Sequence, residues 1–147
     1  MEIAFILLTD YAESLNGKLY TLGAGWNVLR FPELPQEWRF TVGLGIDVAW
    51  DETNRRQGVQ VVIQDPDGAE LGEALSMEVE AGRPPGLQAG QDQRMVIAFN
   101  VGATFEDAGP HALVVRSGDE ELERSRFYVV QVPQDPTQLG GPDVGGA

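Results

Sequence analysis

The sequence predicts an all-β chain folded as an antiparallel two-sheet β-sandwich of about eight strands, and three observations predict it. Between Phe40 and Trp50 the residues Phe40, Val42, Leu44, Ile46, Val48 and Trp50 alternate with small or polar ones, the period-two signature of a half-buried strand. Turn chemistry recurs at Asn16-Gly17, Asp65-Pro66-Asp67-Gly68 and Ser117-Gly118-Asp119, between apolar runs. Finally, 18 glycines and 9 prolines in 147 residues exceed what helix interiors tolerate, so the chain turns often.

Taken in order, Ile3 to Thr9 reads as the first strand, and Asp10 to Leu15, too short for a helix, as a turn. Asn16-Gly17 tolerates positive φ at both positions and introduces a second strand at Lys18 to Leu22. After Gly23-Ala24-Gly25 the chain resumes extended structure from Trp26 to Phe31, with no partner legible in the pattern. Phe40 to Trp50 is expected to be a central strand whose six inward side chains each contribute on the order of 1.5 to 3 kcal/mol on burial, before entropy is subtracted. Gly43 and Gly45 on its other face leave room for a twist, a bulge or a close approach. Val59 to Gln64 and Leu71 to Val79 flank the Asp65–Gly68 turn as a hairpin. Met95, Ile97, Phe99 and Val101 mark a further strand, and Ala112 to Arg116 with Arg124 to Val132 form the last hairpin. From Pro133 the chain is rich in proline and glycine and poor in apolar residues. The expected division is a sandwich domain over 1–132 and a flexible tail over 133–147.

Composition narrows the function classes. A formal charge of −13, from 23 acidic and 10 basic residues, repels a phosphate backbone and argues against nucleic acid as a partner. The apolar run at Ile3 to Leu8 is too short to span a membrane and lacks a basic flank, so no membrane association is expected. With no cysteine, disulfides, thiolate metal sites and cysteine nucleophiles are excluded, which suits the cytoplasm.

Few residues carry chemistry. The single histidine, His111, points inward if Leu113 and Val115 do, and no serine motif accompanies it, so a structural role is favoured over a catalytic one. Gly23-Ala24-Gly25 lacks the third glycine and following helix of a dinucleotide loop. The acid pairs Asp51-Glu52, Glu106-Asp107 and Glu120-Glu121 match the residue types of a glycosidase, but acids this numerous pair by chance. Asp65 and Asp67 share one turn and offer oxygen ligands to calcium, although good turn chemistry alone accounts for them. Of three tryptophans, Trp50 extends the inward row, whereas Trp26 and Trp38 follow turn segments and are candidates for a sugar platform or a protein anchor. Trp26, Trp38, Asp65 and Asp67 are therefore the candidate binding residues, with no catalytic residue, cofactor or metal site assigned.

The opening Phe5-Ile6-Leu7-Leu8-Thr9-Asp10-Tyr11-Ala12-Glu13, then Asn16-Gly17-Lys18-Leu19-Tyr20 and Leu22-Gly23-Ala24-Gly25-Trp26, resembles a family of small bacterial β-sandwich proteins catalogued as a domain of unknown function. The resemblance extends loosely through Asp67-Gly68 and the last hairpin. It implies a bacterial source and a stand-alone domain and carries no activity, so no catalytic residue transfers with it. The last half also looks immunoglobulin-like, an analogy of fold alone. The expected function is a non-enzymatic interaction or adaptor module with a protein partner or self-association. The alternative is a carbohydrate- or calcium-binding module, and a third class is a hydrolase using paired carboxylates.

Overall fold

Period-two alternation becomes nine strands and one turn of 3₁₀-helix in the computed structural model, which describes residues 1–133. In chain order the strands are β1 (Glu2–Leu15), β2 (Lys18–Ala24), β3 (Val28–Phe31), β4 (Gln36–Val48), β5 (Gln57–Gln64), β6 (Glu70–Val79), β7 (Gln93–Phe105), β8 (Gly109–Ser117) and β9 (Glu120–Gln131). The 3₁₀ turn, Trp50–Glu52, lies between β4 and β5. One sheet has the order β2-β1-β4-β7 and the other β3-β9-β8-β5-β6. The chain is therefore all-β and sandwich-like, with nine strands where about eight were expected. The expected tail over 133–147 lies outside the described residues from position 134 on.

β4 holds the centre of the first sheet, antiparallel to β1 on one side and to β7 on the other. Its Phe40, Val42, Leu44, Ile46 and Val48 are all buried, and they meet Val59, Val61 and Ile63 of β5, Leu113 and Val115 of β8, and Phe127 and Val129 of β9 in one core. The inward row stops one residue pair short of the expectation. Trp50 has left the strand for the 3₁₀ turn, where it is half-buried and the Arg83 guanidinium carbon stands 3.9 Å from its ring centroid. Met95, Ile97, Phe99 and Val101 alternate as expected but are only half-buried, because β7 is an edge strand with a neighbour on one side only.

Two further expectations are corrected, the turn at Asp10 to Leu15 and the antiparallel pairing of every strand. Asp10 to Leu15 is not a turn: β1 runs on through Leu15 and pairs with β2 as far as Leu15↔Lys18. The partner of Val28–Phe31, illegible in the sequence, is β9, and the pairing is parallel, with Val28↔Tyr128 through Phe31↔Gln131. Parallel neighbours require a long crossover, here nearly the whole chain, so no local turn announces the pair.

The outer face of the first sheet is shaped by two glycines. Gly43 and Gly45 lie in β4 opposite the inward row, and a Cβ at either would collide with a side chain: Leu19 over Gly43 and the Phe5 ring over Gly45. Leu19 belongs to β2, so the far half of the β1–β2 ribbon lies back over its own sheet. The ladder passes from Thr9↔Ala24 to Tyr11↔Leu22, skipping the position where Gly23 (φ +63°) faces Asp10, and this left-handed glycine allows the bend. Beneath the bend the buried Thr9 donates its hydroxyl to the Thr41 carbonyl at 2.9 Å, and Thr41 donates to Asn100 Oδ1 at 2.8 Å. Farther along, the Ser14 hydroxyl donates to the Val96 carbonyl of β7 at 2.6 Å.

Three outcomes follow from these contacts. Ile46→Ala is expected to cost about 2 to 5 kcal/mol in urea unfolding, since the side chain is fully buried. Gly45→Ala is expected to cost about 1 to 3 kcal/mol, because a ring held in a strand ladder must shift. Asp47 and Arg94 face each other across β4 and β7 in a two-pronged bridge of 2.8 and 3.0 Å, and these hydrogen bonds hold the Asp47 carboxyl below its usual range. A depressed carboxylate stabilises the fold above its unfolded pKa and loses that contribution as pH falls through the folded one. The stability gap between the wild type and Asp47→Asn should therefore be present at neutral pH and close below the ordinary aspartate range.

Candidate functional site

The four candidate residues do not converge on one site. Trp26 precedes β3 and turns inward: its ring meets Phe40 edge-on at 5.1 Å and Phe127 at 6.4 Å, and its indole N–H is buried without an acceptor among the described residues. It caps the core. Trp38, at the start of β4, is 45% exposed and leans on Phe31, with ring centroids 5.7 Å apart. Asp65 and Asp67 occupy the β5–β6 turn. There Asp65 Oδ1 accepts hydrogen bonds from the backbone N–H groups of Asp67 and Ala69, both at 2.9 Å, so this oxygen closes the turn. No group of three or more possible metal ligands occurs among the described residues.

His111 lies where the inward reading of β8 puts it, 2% exposed. It stacks on Phe127 at 5.6 Å and meets Phe105 edge-on at 5.4 Å. Its Nδ1 stands 3.0 Å from the Gly109 carbonyl oxygen; a carbonyl only accepts, so Nδ1 donates. Nε2 is buried without a partner among the described residues, as is the Trp26 N–H. Both rings belong to an aromatic cluster around Phe127 that packs the end of the sandwich.

The acid pairs are spread over three connections. Asp51-Glu52 lies in the 3₁₀ turn after β4, Glu106-Asp107 between β7 and β8, and Glu120-Glu121 at the start of β9. Two of these acids are engaged: Glu52 with the terminal amino group of Met1, and Glu121 with Arg124 at 2.5 Å. Those hydrogen bonds lower both carboxyl pKa values, the reverse of what a general acid needs.

The most distinctive surface is one that the alternation pattern did not single out. On the solvent side of the folded-back β1–β2 ribbon, Tyr11 (49% exposed), Leu15 (57%), Tyr20 (53%) and Leu22 (69%) stand out, with Glu13 between them. The register explains the grouping: Tyr11↔Leu22, Glu13↔Tyr20 and Leu15↔Lys18 are direct cross-strand pairs, so these side chains share one face. Ala12, of the opposite parity, is buried on the face turned toward the sheet. A depression of about 440 Å³ lined by Ala12, Glu13, Ser14, Leu15 and Ala98 marks the seam between the ribbon and β7. A sequence signal existed, since Tyr11, Tyr20 and Leu22 flank a hairpin turn. It could not be used while Asp10 to Leu15 was read as a turn.

No helix among the described residues is long and apolar enough to cross a membrane. The expected outcome for the candidate turn is that Asp65→Ala costs about 1 to 2 kcal/mol in urea unfolding, having removed two backbone hydrogen bonds. Asp67→Ala, whose carboxylate is exposed, should cost close to nothing.

Comparison with known proteins leaves function open. No curated protein matches the chain. Among solved structures it is similar to a β-glucosidase from Listeria innocua in complex with glucose, at 14% identity and a TM-score of 0.40, over 71% of this chain and 15% of that one. The same enzyme in complex with gluconolactone is matched over 86% of this chain and 16% of that one, at 14% identity and a TM-score of 0.39. The chain thus spans about a sixth of the length of these enzymes. A family model matches residues 4–130, nearly the whole described chain, and the protein belongs to that family, a family of unknown function (DUF6941).

Proposed function

We propose that the domain is a non-enzymatic protein-interaction module whose contact surface is the solvent face of the β1–β2 ribbon. The observation that carries this reading is the grouping of Tyr11, Leu15, Tyr20 and Leu22 on one face, each about half exposed or more. Scattered apolar side chains on a surface need no explanation, but a contiguous group of large ones is characteristic of binding surfaces. Tyrosine supplies contact area with few rotatable bonds and a hydroxyl that tolerates water when the partner is absent. The ribbon is held by Leu19 over Gly43 and by Ser14 on Val96, so the face is presented by a fixed scaffold.

The immunoglobulin-like reading belongs to the same proposal. Its support is the two-layer arrangement, with the chain crossing between sheets at β2–β3, β3–β4, β4–β5, β6–β7 and β7–β8. A bacterial cytosolic setting rests on the resemblance and on a cysteine-free sequence suited to a reducing compartment.

A photo-crosslinking residue in place of Leu22, in the protein expressed in its own cells, tests the surface. The expected result is a discrete protein adduct that disappears when Tyr20→Glu is added. An adduct pattern no different from that of the same probe at Glu73, on the exposed side of β6, would refute it. A carbohydrate-binding reading is favoured by one observation, the exposure of the Trp38 side chain. It predicts that Trp38→Ala, and not Leu22→Arg, abolishes retention on immobilised polysaccharide.

A further inference from the structure

We infer that the outward face of the second sheet is a separate docking surface whose occupant is an extended acidic peptide segment laid along β9. Its carboxylates would meet Arg126 and Arg30, and an apolar side chain between them would meet Tyr128. This face belongs to the opposite layer from the ribbon, so a partner seated there leaves the ribbon face free.

Parity and register build the face. Leu113, Val115, Phe127 and Val129 point into the core, so Ala112 and Val114 of β8 and Arg124, Arg126, Tyr128 and Val130 of β9 point outward. Val114 stands opposite Arg124 and Ala112 opposite Arg126, while the parallel β3 sets Arg30 beside Val130. Val62, Ala112 and Val114 form an apolar cluster of their own, and they are only 2 to 6% exposed although they face outward. Long side chains flank them in the register, and arginine stems lie over apolar surface while their charged heads stay in water. Arg124 and Arg126 are thereby carried on a packed floor, which lowers the ordering that a ligand must impose.

Charge selects the occupant. In a chain of net charge −13, four of the ten basic residues, Arg30, Arg116, Arg124 and Arg126, gather on this face. Glu70 holds Arg116 at 2.6 Å and Glu121 holds Arg124 at 2.5 Å, whereas Arg30 and Arg126 have no acid partner among the described residues. Glu78 stands at the β6 edge, so the face grades from acidic there to basic along β9 and β3. The exposed Tyr128 lies between the two free arginines. Outward side chains on a strand recur every ~7 Å, so Arg126, Tyr128 and the Val130–Arg30 pair form a line of about 14 Å. An extended peptide has the same repeat and matches that line with acids four positions apart and an apolar residue midway. A depression of about 280 Å³ between the Asp65–Gly68 turn and Arg124 and Arg126 seats the first carboxylate. Asp65 borders it with Oδ1 already committed to the turn. Nucleic acid or an anionic membrane would extend past the arginines onto acidic surface. Two carboxylates would not, and at physiological salt acids farther away than about 8 Å are largely screened from them.

A peptide array probed with the tagged full chain tests the assignment. Each peptide carries two glutamates at two, four or six positions apart, with a leucine midway and serine or glycine elsewhere. Binding should be strongest at the four-residue spacing and should fall at least about tenfold when glutamine replaces both glutamates. Arg126→Gln and Arg30→Gln, which remove charge but keep part of each stem, should weaken binding as far. Arg55→Gln, which removes the same charge from the β4–β5 connection, and Leu22→Ala on the ribbon should leave it unchanged. Equal retention of glutamate and glutamine peptides, or an equal loss with Arg55→Gln, overturns the inference. So does tighter binding of phosphatidylglycerol vesicles or of a single-stranded oligonucleotide than of any peptide, which would give the face to another anion. The ribbon reading stands or falls separately, by the Leu22 crosslink.

Discussion

β4 sits between β1 and β7, and its side chains from Phe40 to Val48 fill the space between the sheets, so both layers are positioned by one strand. The two faces of that strand make opposite demands. Inward it needs bulk, which Phe40, Val42, Leu44, Ile46 and Val48 supply to the second sheet. Outward it needs to be thin at Gly43 and Gly45, because Leu19 and Phe5 occupy the volume that side chains there would take. Alternation of large residues with glycine therefore encodes two packing layers, not one layer and a solvated surface.

The exposed apolar face follows from that thinness. If β4 carried ordinary side chains at positions 43 and 45, the β1–β2 ribbon could not settle onto the sheet, and Leu19 would lose its contact. Because the ribbon does settle, its inner side takes Ala12 and Leu19, and the opposite parity puts Tyr11, Tyr20 and Leu22 outward. The left-handed Gly23 opposite Asp10 makes the bend that selects which parity faces solvent. Surface chemistry and core packing are coupled here through a few glycines.

Within the core, His111 and Trp26 flank Phe127 and each leaves one ring nitrogen unpaired among the described residues. Burying such groups costs free energy that apolar rings would not. The aromatic cluster of Phe40, Phe105 and Phe127 surrounds them and offsets that cost with ring contacts between 5 and 6.5 Å. The histidine is thus bound up with the packing of β8 and β9.

The amino-acid sequence by itself determined the all-β class, the central strand from Phe40 to Val48, the β5–β6 and β8–β9 hairpins and the inward His111, because alternation and turn residues act over neighbours a few positions apart. It also placed Asp65 in a turn whose geometry that aspartate closes. Tertiary structure alone decided the rest. The parallel pairing of β3 with β9 joins segments about a hundred residues apart, and no local pattern records such a partner. Trp50 left the inward row because the strand ended beneath it, and Trp26 turned inward while Trp38 stayed out because of the rings each one met. The ribbon face was hidden for the same reason. Which side of a strand is buried depends on what packs against it, and for β1 and β2 that is their own sheet, reached through a bend at Gly23.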